Sequence, residues 1–88
     1  MIKTYLHSVI NNALKKLNFP EKSIQLDNPK DEKHGDITTN VALTLSKELK
    51  QKPRDIAQSI MDNLDLNPEI ISKVELAGAG FINFFISD

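Results

Sequence analysis

From Ile2 to Leu17 the apolar positions are Ile2, Tyr5, Leu6, Val9, Ile10, Ala13, Leu14 and Leu17. Steps of three and four predict an amphipathic helix with one buried stripe. Asn18, and Pro20 two residues on, end it, because proline cannot continue the helical ladder and disfavours helix in the residue before it. The period then changes. Ser23 to Asp27 alternates Ile24 and Leu26 with polar neighbours, which predicts a short half-buried strand; Asn28 to Lys33 is a polar, charge-mixed loop, and Gly35 to Thr38 a second strand. Thr38 or Thr39 caps a helix whose inner face is Ala42, Leu45 and Leu49, with Val41 at its edge. A break at Gln51 and Lys52 puts Pro53 at the first position of another helix, with Ile56, Ala57, Ile60, Met61 and Leu64 as its stripe. Asn67 and Pro68 close it. Ile70 to Ala77 and Phe81 to Ser87 then read as two strands joined by Gly78, Ala79 and Gly80.

The predicted order is α-β-β-α-α-β-β. This places the chain in the α+β class, as a two-layer sandwich with helices on one face of a mostly antiparallel four-stranded sheet. Its 88 residues allow one core and therefore a single domain over 1–88. With 40% hydrophobic and 26% charged residues the chain should fold rather than stay disordered, and it shows no repeat or linker. Eleven basic against 12 acidic residues leave a formal charge of −1. Nothing draws the whole molecule to a polyanion, so a nucleic-acid partner would have to be held locally. The absence of cysteine excludes disulfides, Cys-based zinc sites and thiol nucleophiles, and fits a cytoplasmic protein. No apolar run is long enough to cross a bilayer and the N-terminus lacks a leader pattern, so neither a membrane partner nor export is expected.

Chemistry is concentrated in the last predicted strand. Ile82, Phe84 and Ile86 point one way, toward the core, and Phe81, Asn83, Phe85 and Ser87 the other. With helices on one face only, an aromatic, an amide and an aromatic alternate on the open face, as on platforms that stack and read single-stranded bases. The competing arrangement buries Phe81 and Phe85 under a loop or in a second small cluster. His34, Gly35 and Asp36 lack ligand-like spacing to His7 and read as a turn, in which glycine permits a positive φ and Asp36 bonds nearby backbone groups. Gly78 and Gly80 precede a strand rather than a helix and are not followed by Lys-Ser or Lys-Thr, which makes them a hairpin turn and not a phosphate loop. Lys47, Lys50, Lys52 and Arg54 form a basic cluster broken by Glu48 and Asp55; a solvated surface accounts for it, with phosphate contacts by Lys50, Lys52 and Arg54 as the functional alternative. No nucleophile with a nearby base, metal-ligand cluster or carboxylate pair supports a stand-alone hydrolase, so no catalytic or metal residue is expected.

Two stretches carry a family pattern: His34-Gly35-Asp36-Ile37-Thr38-Thr39-Asn40-Val41-Ala42, and Val74-Glu75-Leu76-Ala77-Gly78-Ala79-Gly80-Phe81-Ile82-Asn83-Phe84. With the leading helix and the Pro-Arg-Asp-Ile-Ala helix start, the chain closely resembles, over nearly its whole length, the N-terminal domain of arginyl-tRNA synthetases. In that family the domain precedes a class I catalytic domain and touches the D-loop at the outer corner of the tRNA. The resemblance therefore implies a non-catalytic, tRNA-binding fragment, expected to be monomeric, of an ATP-dependent arginine-tRNA ligase. Its partners would be arginine tRNA and the catalytic domain of the same chain. The family's His-Ile-Gly-His-like and Lys-Met-Ser-Lys-Ser-like signatures are absent, so no cofactor is expected here, and ATP, magnesium and arginine sites are expected beyond Asp88. The resemblance also implies that Phe81 packs on a D-loop base and Asn83 hydrogen-bonds its edge, as an exposed pair, while Phe85 is not implicated. Ala79 stands where many members carry proline, which leaves the turn without a ring-fixed φ. The alternative of another class is a protein-interaction or intramolecular packing domain that uses the same open face.

Overall fold

The computed structural model describes residues 2–87. Its elements run α1 (Ile2–Lys16), β1 (Leu26–Asp27), a 3-10 turn (Glu32–His34), β2 (Ile37–Thr39), α2 (Val41–Leu49), α3 (Pro53–Asp62), β3 (Ile71–Ala77) and β4 (Phe81–Ile86). The four strands form one antiparallel sheet in the order β1-β2-β4-β3, with the helices on one face.

Helix α1 buries Leu6, Val9, Ile10, Ala13 and Leu14, the stripe its period predicts. It ends at Asn18 rather than through Pro20. Asn18 adopts a left-handed φ of 57°, and the Asn18 and Phe19 amides donate to the Lys15 and Leu14 carbonyls, a paired cap that satisfies the last turn.

Strand β1 is shorter than the expected Ser23–Asp27 because its partner runs out. Leu26 pairs with Thr39, and beyond Thr39 the chain turns into α2, so no strand remains for Gln25 or Ile24 to pair with, although Ile24 still buries its side chain. Similarly β2 starts at Ile37 rather than Gly35, whose φ of 82° is a turn conformation. Val41 is fully buried, not at the helix edge, and the Val41 amide donates to the Thr39 hydroxyl at 3.3 Å. Pro53 opens α3 as expected. That helix ends at Asp62, ahead of Asn67, because the Asn63 side chain donates to the Ser59 carbonyl and its amide to the Ile60 carbonyl.

Ile37, Ile82 and Phe84 from the sheet meet Leu45, Ile56, Ile60, Leu6 and Ile10 from the helices, all close to fully buried, so the core closes with the chain's own residues. Ile86 departs from the core role its parity predicts and is exposed. It lies past the end of β2, where Phe84 pairs with Ile37, and a bulge between Ile71 and Lys73 disturbs its own pairing with β3. Asp36 takes over there, its carboxylate accepting from the Ile86 amide at 2.8 Å and its amide donating to the Phe84 carbonyl at 2.9 Å.

A candidate nucleobase site on the open sheet face

Strand register arranges the open face in rows. Asp27, Thr38, Asn83 and Glu75 form one row across all four strands, since Asp27 pairs with Thr38, Thr38 with Asn83 and Asn83 with Glu75. Ala77 and Phe81 form the row on the turn side, Lys73 and Phe85 the row on the other. The two aromatic positions of β4 therefore differ in surroundings. Phe85 is half-buried, its ring covered by the Lys73 ammonium 4.3 Å from the centroid, with Gly35 against its edge. Phe81 is 40% exposed, one of the largest apolar side chains left in solvent.

Beside Phe81 lies a cavity of about 320 Å³, lined by Pro29, His34, Thr38, Ala77, Gly78, Phe81 and Asn83. The sheet supplies its floor and the loop after β1 its far wall. That loop is held in place from both ends: the Asp31 carboxylate accepts from the Lys33 amide at 3.0 Å, and the Asn28 side chain donates to the Asp36 carbonyl at 3.1 Å. Gly35 follows. A Cβ there would stand 2.7 Å from the Phe84 carbonyl oxygen, so the His34 side of the wall meets the sheet only because residue 35 has no side chain.

Asn83 differs from the expected exposed pair. It shares the open face with Phe81 but is only 4% exposed, because the flanking strands and the loop rise on either side of it. Its Oδ1 accepts from the Thr38 hydroxyl at 2.7 Å. Among the described residues Nδ2 has no hydrogen-bond partner, and no buried side-chain nitrogen or oxygen is left unpaired, so Nδ2 opens on the cavity. The site thus combines an apolar ring at the rim with N–H donors at the floor, a combination suited to a flat, polar-edged ring.

The basic residues separate. Arg54 is engaged within the chain: the Arg54 guanidinium donates to the carbonyl of Gly78, which lines the cavity, and Pro53 packs on Gly80 so closely that a Cβ on residue 80 would stand 2.7 Å from the proline Cβ. Lys50 and Lys52 flank the α2–α3 break and are exposed, without side-chain bonds among the described residues. Thr38, Pro29 and His34 are site residues that the sequence pattern did not single out as such. Only the β2–β4 register, a non-local feature, brings Thr38 to Asn83.

The sequence profile described as the arginyl tRNA synthetase N terminal domain matches residues 4–86. The arginine–tRNA ligase of Pelodictyon phaeoclathratiforme is 42% identical over 87 residues, covering 98% of this chain and 16% of the relative. That of Staphylococcus epidermidis is 39% identical over 89 residues, covering 99% of this chain and 16% of the relative. Among solved structures, Thermus thermophilus arginyl-tRNA synthetase superposes with a TM-score of 0.84 at 30% identity, over 98% of this chain and 14% of that one. The arginyl-tRNA synthetase of Plasmodium falciparum gives 0.82 at 20% identity over 98% of this chain and 16% of its own, a likeness of fold. The chain thus spans 14–16% of the length of these relatives.

Proposed function

The chain belongs to the arginyl-tRNA synthetase N-terminal domain family, and from that premise we propose that it binds arginine tRNA through the D-loop, taking one loop base into the cavity beside Phe81. Phe81 stacks on the base and the Asn83 amide reads its edge. The observation that carries the reading is the pairing of an exposed Phe81 ring with a buried, solvent-facing Asn83 amide in one cavity of about 320 Å³, at the lower end of the roughly 300–1,000 Å³ of small-molecule clefts. The domain positions the tRNA, and the remainder of an arginine-tRNA ligase charges its 3′ end with arginine, using ATP and magnesium. Lys50 and Lys52, exposed at the α2–α3 break next to the Arg54-clamped turn, are the residues proposed to contact phosphate.

One stacked base contributes about 1–3 kcal/mol and one or two hydrogen bonds about as much again, so the domain alone binds weakly, at about millimolar. A second reading, packing of this region on another protein or on the catalytic body of the same ligase, has its own supporting observation: Ile86 is a large apolar side chain left exposed at the end of β4. A chemical-shift titration of the labelled chain with transcribed arginine tRNA separates the two. Shifts centred on Phe81 and Asn83 that vanish with a D-loop base substitution or with Phe81→Ala support base binding. Shifts confined to lysines and indifferent to the loop, or none at millimolar RNA, leave the packing role.

A further inference from the structure

We infer that Thr38 is a positioning residue: by donating its hydroxyl hydrogen to Asn83 Oδ1 it holds the amide with its NH₂ toward the cavity, so the site reads a hydrogen-bond acceptor on the base it takes. This rests on the base-binding reading above and narrows its chemistry. A threonine hydroxyl has one hydrogen to give. Two acceptors lie within its reach, Asn83 Oδ1 at 2.7 Å and the Ile82 carbonyl at 3.3 Å. The shorter contact takes the hydrogen. With the Thr38 hydroxyl donating to the amide oxygen, the amide nitrogen is the atom left toward the cavity.

The neighbours leave this arrangement undisturbed. Glu75, beside Asn83 on β3, is paired with Lys73 at 3.2 Å, and Asp27, beside Thr38 on β1, accepts from Gln25 at 3.3 Å. Neither carboxylate draws the amide away. Thr38 sits in the middle of a three-residue strand hydrogen-bonded on both sides, and its branched Cβ restricts χ1, so the hydroxyl is held in place. An unpinned amide can turn over and offer either end to a ligand. A pinned one offers N–H donors, so a ring carbonyl or an unprotonated ring nitrogen is bound, whereas an exocyclic amine at that edge meets donors and stays unpaired.

The test compares the wild-type chain with Thr38→Val, which keeps the shape and removes the hydroxyl, and Thr38→Ser, which restores it. The probe is arginine tRNA carrying, at the D-loop position to which wild type is most sensitive, either the natural base or an analogue with the acceptor atom replaced by an N–H donor. Wild type and Thr38→Ser are expected to lose about fivefold in affinity with the analogue, and Thr38→Val, whose amide is free to turn its Oδ1 toward the donor, to bind the two RNAs within about twofold of each other. Base dependence in wild type that persists unchanged in Thr38→Val overturns this inference alone. Indifference of the wild type to every loop base overturns the base-binding reading and this inference with it. Without RNA, Asn83 Nδ2 hydrogens that are protected from exchange and in Overhauser contact with Thr38 would mean the opposite orientation and would also overturn it.

Discussion

The Arg54 guanidinium donates to the Gly78 carbonyl, tying the first turn of α3 to the point, 24 residues later, where β3 turns into β4. Pro53 and Gly80 reinforce the tie by direct contact. The helix start and the hairpin turn are therefore one structural unit, and the residue that follows the unit is Phe81. Because Ala79 leaves the turn without a proline ring, its conformation depends on these contacts from α3 rather than on the turn sequence alone. The side chain proposed to stack on RNA is thus presented by a hairpin that α3 holds from behind.

It follows that Arg54 and Lys52 differ in how they affect binding. Arg54→Ala is expected to weaken tRNA binding about threefold to tenfold through loss of the Gly78 hydrogen bond and a shifted Phe81. Its dependence on salt should match wild type. Lys52→Ala should instead lower affinity for every loop sequence and reduce the slope of log affinity against log salt by about one. Titrations at a series of salt concentrations decide between these roles, and a shallower slope for Arg54→Ala would return Arg54 to phosphate binding.

Gly35→Ala should damage both stability and the site. The added Cβ would stand 2.7 Å from a backbone oxygen, at a φ of 82° that an L side chain rarely adopts. A loss of about 1–3 kcal/mol in urea unfolding is expected. Lys33→Ala, on an exposed side chain of the same turn, should stay within about 0.5 kcal/mol of wild type. An unfolding midpoint for Gly35→Ala equal to that of Lys33→Ala would show that the strand can move to admit the methyl group.

The helices and the two long strands were legible in the sequence because their signals are local: a three-and-four spacing from Ile2 to Leu17, a proline at a helix start, alternation through β4. The placement of Phe81 on the open face followed from alternation. The burial of Asn83 did not, since it is set by what stands on either side, Thr38 on β2 and Glu75 on β3, and by a loop whose wall depends on Gly35. The shortness of β1 is likewise non-local, fixed by where α2 begins on the neighbouring segment. Ile86 continued the alternation but outran the strand that would have extended its cover. Parity along a strand gives a face, and exposure on that face is decided by the neighbours.

Phe81 and Phe84 make the sharpest contrast, being three residues apart on one strand and on opposite faces of the sheet. Phe84 is fully buried in the core, and its replacement by alanine is expected to cost about 3–5 kcal/mol. That approaches the whole stability of about 5–15 kcal/mol typical of a domain, so Phe84→Ala should be largely unfolded at low urea. Phe81→Ala should shift the unfolding curve by only about 0.5 kcal/mol and still abolish the RNA-dependent shifts. Phe81→Leu carries the argument further, because it retains an apolar side chain and removes the π face. If Phe81 stacks on a base, Phe81→Leu should bind tRNA as poorly as Phe81→Ala, while Phe81→Trp retains or improves affinity. If instead the ring serves as an apolar contact for another protein surface, Leu and Trp should both support binding of that surface and tRNA titrations should not distinguish them from wild type. Measuring the three variants against the same transcript therefore tests the chemistry of the contact, with unfolding curves of each variant as the control that the sheet itself is intact.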